Sequence, residues 1–142
     1  GAKFDDGEKY WYLTGSYNPD TRELKIVFYD QGIGIPSSLP SSDIYEKVIE
    51  FIANVPILER KHHEVMLRAA VELERTRTLE SDRGNGLQDL LEFIRQRNDG
   101  YLSIISLKGL YKFSLNEGVE GIKSQGLRWP VCGTLIIWKV TL

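Results

Sequence analysis

Residues 9–18, Lys-Tyr-Trp-Tyr-Leu-Thr-Gly-Ser-Tyr-Asn, and residues 24–29, Leu-Lys-Ile-Val-Phe-Tyr, are runs rich in aromatic and β-branched side chains separated by Pro19-Asp20-Thr21-Arg22-Glu23. That pattern predicts a β-hairpin closed by a Pro-Asp turn, with Asp30 at the carboxyl edge of its second strand. Helical spacing follows. Ser42 or Asp43 can cap a helix over 43–54 whose apolar positions are Ile44, Val48, Ile49 and Ile52, and Pro56 ends it. A second helix is predicted over 58–76, with Val65, Met66, Ala69 and Leu73 as a narrow apolar stripe. Arg60, Glu64, Arg68 and Glu72 alternate in sign on its other face, so it reads as a weakly packed lid or a docking surface. Leu87, Leu90, Leu91 and Ile94 predict a third helix.

Strand pattern returns at Tyr101–Leu107, and Lys108-Gly109 is expected to turn it into a second strand over 110–114. The polar, glycine-rich stretch 117–127 is expected to be a mobile loop, ended by Trp129-Pro130. Gly133-Thr134-Leu135-Ile136-Ile137-Trp138-Lys139-Val140 then closes the chain as a strand. Strands on one side and helices on the other predict one α/β (α+β) domain over 1–142, a two-layer sandwich with a mixed, mostly antiparallel sheet and a helical insertion at about 43–83.

Composition narrows the class. A length of 142 residues suits one domain with a real core, and a formal charge of −2 gives no electrostatic case for nucleic acid or an anionic membrane. No apolar run approaches the ~20 residues that span a bilayer, and no signal peptide is visible. Cys132 is the single cysteine, which excludes an internal disulfide, and it is expected to pack as a small hydrophobe. The expectation is a cytoplasmic protein.

Three motifs carry candidate chemistry. Asp30-Gln31-Gly32-Ile33-Gly34-Ile35-Pro36 sets a carboxylate beside two glycines at a strand end. The carboxylate can accept from an exocyclic amine, and the missing β-carbons let a flat ring approach; an ordinary turn looks the same. A Rossmann fingerprint does not fit, because the third glycine is absent. Arg83-Gly84-Asn85-Gly86-Leu87 opens the third predicted helix, where free N–H groups and the helix dipole suit a phosphate. Gly133-Thr134 begins the last strand.

In this order the three motifs resemble the GHKL superfamily, the ATP-binding domains of histidine kinases, type II topoisomerases, mismatch-repair proteins and heat-shock chaperones, over about residues 10–140. The resemblance implies a Bergerat-type ATP-binding fold. It assigns Asp30 to the adenine amine, Gly32, Gly34 and Ile35 to the ring, and Thr134 to a place beside Asp30. Gly84, Asn85, Gly86 and Leu87 would offer main-chain donors to the phosphates, and Arg83 a charge, although an arginine there also reads as a solvated surface residue.

The family also has an N box, a helix with Glu and Asn that holds Mg²⁺, ahead of the first glycine motif. No such helix precedes Asp30, so the sequence is expected to begin partway through a larger domain, with Gly1-Ala2 left from cloning. Glu50 and Asn54 have the right spacing in the wrong order, and a helix-terminal Asn explains Asn54 as well. His62 and His63 read as solvent-facing residues, since an acceptor helix of histidine kinases lies upstream of the ATP domain.

The resemblance implies an ATP-binding domain holding adenine nucleotide for phosphotransfer to a partner or another domain. A conformational ATPase module and a non-catalytic adenine-nucleotide sensor are the alternatives. No catalytic residue is assigned and no Mg²⁺ ligand is visible, so the chain alone is expected to be inactive or very slow, with weak and scarcely Mg²⁺-dependent ATP binding. A protein partner or dimer through the charged helix 58–76 is a further expectation.

Overall fold

The computed structural model describes residues 2–3, 10–32, 34–38, 45–59, 62–76 and 86–142. The hairpin forms as its alternation requires: β2 (Tyr10–Asn18) pairs with β3 (Glu23–Asp30) from Asn18↔Glu23 to Trp11↔Asp30. Asn18 closes the turn by accepting the Asp20 N–H at 3.0 Å, and Arg22 takes the left-handed conformation at φ 59°. A two-residue β1 (Ala2–Lys3) flanks β2. On its other side β3 pairs with the last strand, β5 (Val119–Thr141), which in turn pairs with β4 (Asp99–Asn116). The order is β1-β2-β3-β5-β4, and every pairing among the described residues is antiparallel, so the expected mixed sheet is not seen there.

Helices complete an α+β fold. Short α1 (Ile35–Ser38) follows the first glycine motif, α2 (Tyr45–Phe51) follows it, and the longer α3 (His63–Thr76) and α4 (Gly86–Arg97) supply the apolar faces that meet the sheet. Leu67 and Val71 of α3, Leu91 and Ile94 of α4, and Leu102 and Trp138 of the sheet share one core. Trp138 also donates its indole N–H to the Leu90 carbonyl at 3.1 Å, which fixes α4 along β5. A smaller core joins Val48 and Ile52 to Ala69 and Ala70 of α3, whose small side chains let α2 approach closely. Among the described residues no helix is long and apolar enough to cross a membrane.

Several expectations are corrected. The helix placed over 58–76 begins at His63 after a 3₁₀ turn at Ile57–Glu59, and it is not weakly packed: Leu67, Ala69, Ala70 and Val71 are buried. Glu72, assigned to the solvated face, is 8% exposed and accepts the Tyr111 hydroxyl at 2.6 Å. The helix over 43–54 ends earlier, at Phe51. Stretch 117–127 is a tight turn and a strand: β4 runs on to Asn116, Glu117 and Gly118 turn at φ 49° and 81°, and β5 starts at Val119. Lys108-Gly109 is therefore a bulge, not a hairpin turn, with Leu107 at φ 52°. Gly109 is required there by contact, since a β-carbon on it would lie 2.9 Å from the His63 carbonyl group. Cys132 is exposed.

Candidate functional site

Strand register builds the site. Asp30 is the last residue of β3 and stands opposite Thr134 of β5, so their side chains share one face of adjacent central strands. The Gly32 N–H donates to Asp30 Oδ1 at 2.7 Å, which folds the loop back over the strand end. A β-carbon on Gly32 would stand 3.2 Å from that same oxygen, so glycine leaves the carboxylate accessible. Gly34 has φ 87° and is buried; a β-carbon there would come within 2.8 Å of Leu107 Cγ. Ile35 continues into α1, half-buried and packed against both cores.

Ser106 is the hub. It is fully buried on β4, accepts the Ile35 N–H at 2.8 Å, donates to the Gly133 carbonyl at 3.1 Å and lies 2.9 Å from Thr134 Oγ1. One hydroxyl thus ties the first glycine loop to the inner half of the closing strand. Gly133 lets that strand come close: at φ 93° it sits where a β-carbon would be 1.8 Å from the Asp30 carbonyl oxygen. Tyr29 adds a second tie by donating to the Cys132 carbonyl at 2.7 Å.

Five of the residues singled out by sequence, Asp30, Gly32, Gly34, Ile35 and Thr134, therefore converge at one end of the sheet. Gly86 opens α4 and Leu87 follows within it. Arg83, Gly84 and Asn85 lie outside the described residues. Glu50 is in α2 but Asn54 lies beyond its end, and both are exposed. No group of three or more His, Cys, Asp or Glu able to hold a metal occurs among the described residues. Ser106 was missed by sequence reasoning, although a hydroxyl inside the apolar run Leu102–Leu107 was the available signal.

A cleft of about 450 Å³ opens between the start of α3 and the β4 bulge, bordered by His62, His63, Glu64 and Lys108. His62 is solvent-facing as expected, and its Nδ1 lies 3.5 Å from Glu64 Oε1. His63 is not: it is half-buried, and its Nδ1 accepts the Lys108 backbone N–H at 3.0 Å. The ring serves to hold the bulge.

No protein-family profile matches the chain, and no curated protein matches it. Among solved structures, a chain described as the N terminal domain of a DNA repair protein is similar at 16% identity, over 83% of this chain and 28% of its own length, with a TM-score of 0.29. A superposition this loose assigns neither fold nor function, and this chain spans little more than a quarter of that protein chain's length.

Proposed function

We propose that the chain is an adenine-nucleotide-binding domain of the GHKL type, a two-layer sandwich of Bergerat architecture that holds ATP for phosphoryl transfer to an acceptor on a partner or another domain. The observation that carries the reading is the Asp30↔Thr134 register, which sets a carboxylate and a hydroxyl side by side at the end of the two central strands. The residues fit a purine edge. Asp30 offers an acceptor at an accessible strand end, Gly32 leaves it uncovered, and Ser106 and Gly133 hold the surrounding backbone in place. For the triphosphate, the reading assigns the backbone N–H groups at the start of α4, with Gly86 as its first residue. Bound ATP would supply the transferable phosphoryl group, and this chain's part is to orient the base. A cytoplasmic setting belongs to the same reading.

Calorimetric titration with ATP and GTP tests it. The chain is expected to bind ATP and to discriminate against GTP, and Asp30→Asn should weaken ATP selectively, because an amide can present a donor to the amine instead of an acceptor. Equal losses for both nucleotides would remove Asp30 from the base site. No heat with either would end the nucleotide reading.

A further inference from the structure

We propose that Ser106, which is itself fully buried, sets the preference of this site for a 6-amino over a 6-oxo purine by fixing where Thr134 points its hydroxyl proton. The inference rests on the adenine reading above and names what enforces it.

A serine hydroxyl has one proton and two lone pairs. One lone pair of Ser106 Oγ is taken by the Ile35 N–H at 2.8 Å. The Gly133 carbonyl at 3.1 Å can only accept, so the Ser106 proton goes to it. That leaves one lone pair, and Thr134 Oγ1 lies 2.9 Å away to fill it with its own proton. The opposite assignment, with Ser106 donating to Thr134, gives up the Gly133 bond and leaves a lone pair of Ser106 empty. It makes one hydrogen bond fewer in a buried place, where unsatisfied groups are costly.

The favoured arrangement has a consequence for the ligand. With its proton committed to Ser106, Thr134 turns only lone pairs toward the strand end that it shares with Asp30. Asp30, when ionised, is an acceptor too. Two acceptors side by side form an edge that an exocyclic amine satisfies by donating, and that a carbonyl meets with like polarity. Rejection of the wrong group comes from leaving polar atoms unpaired, which discriminates far better than shape alone. Ser106 is a positioning residue in this scheme, acting through Thr134.

Removal of the Ser106 hydroxyl frees the Thr134 proton to turn outward and donate to a 6-oxo group. The Ile35 N–H and the Gly133 carbonyl also lose their bonds to Ser106, which loosens the loop and lowers affinity for any base. The ratio of affinities separates the two effects. ATP and ITP suit the measurement, because they share ribose and triphosphate and differ at purine position 6. By calorimetry, Ser106→Ala is expected to lower the ATP-to-ITP affinity ratio about tenfold, roughly the worth of one hydrogen bond reversed. Ser106→Thr should restore most of the ratio. Thr134→Val should lower it as Ser106→Ala does, and the double variant should fall no further. Should Ser106→Ala not fold, Ser106→Cys reads the same ratio, since a thiol is only a weak acceptor. A ratio unchanged in Ser106→Ala or Ser106→Cys, with both affinities falling together, would overturn the proposal and leave Ser106 a structural tie. A wild type that binds neither nucleotide overturns the adenine reading and this inference with it.

Discussion

Two glycines of the site have opposite duties, and substitution should tell them apart. Gly133 is structural: at φ 93°, with the Asp30 carbonyl oxygen 1.8 Å from where its β-carbon would be, any side chain forces β5 away from β3. Gly133→Ala combines left-handed strain with a backbone clash, and urea unfolding should show a loss of about 3 kcal/mol or more. Gly32 has no positive φ, and the nearest atoms its β-carbon would meet are those of the Asp30 carboxylate, from 3.2 Å. Gly32→Ala should leave the unfolding midpoint nearly unchanged while weakening nucleotide binding. A Gly133→Ala protein of wild-type stability would mean that the strands are not pressed together at this point. The sequence shows both glycines but not this division, because Asp30 meets Gly133 only through a pairing 103 residues long in the chain.

The elements differ in how far their order can be read from local pattern. The hairpin over 10–30 was legible because its strands alternate cleanly and its turn residues are specific, and α4 because four apolar residues repeat at helical spacing. The first half of β5 was not. Among the described residues, 119–126 pair with β4 alone, and their side chains are mostly exposed, so a strand there needs no apolar alternation and looks like a loop. Lys108-Gly109 has the composition of a turn, yet its glycine answers a tertiary demand, the close approach of α3. Glu72 looked solvated because its hydroxyl partner, Tyr111, lies 39 positions on. Site residues on one strand or loop were visible, and Ser106 was not, since its value comes from two segments that reach it from opposite ends of the chain.

That contact between α3 and the bulge yields a prediction at the same scale. Gly109→Ala would set a β-carbon 2.9 Å from the His63 carbonyl group, against backbone that cannot rotate away, so α3 must lift from β4. Unfolding should lose about 1–3 kcal/mol, and amide exchange should accelerate at the start of α3. Gly121→Ala is the control. Its β-carbon would meet only the Ser114 hydroxyl, at 2.9 Å, which a rotamer change relieves, so the stability should move by less than about 0.5 kcal/mol. Equal losses in the two variants would show that the cost belongs to glycine replacement in a strand and not to the seating of α3.

At the scale of the molecule, the candidate site is a junction. Asp30 ends β3, the glycine loop leads into α1, Ser106 belongs to β4, and Gly133 and Thr134 open the inner half of β5. A ligand seated there would brace three strands and a loop at once, and none of that surface exists in the unfolded chain. Binding must then appear as stability. At a free concentration near 100 times Kd, a ligand specific for the folded state adds about 2.7 kcal/mol. For a domain of this size each kcal/mol is worth about 3 °C, so saturating ATP should raise the melting temperature by roughly 8 °C. The increment should fall for Asp30→Asn, and should be smaller for GTP at the same concentration because its affinity is lower. Inorganic triphosphate separates the halves of the site: it engages phosphate donors but no base, so it should give only a small shift. If triphosphate alone matched the ATP shift, the stabilising contacts would lie at the phosphates, and the Asp30–Thr134 edge would contribute nothing to recognition.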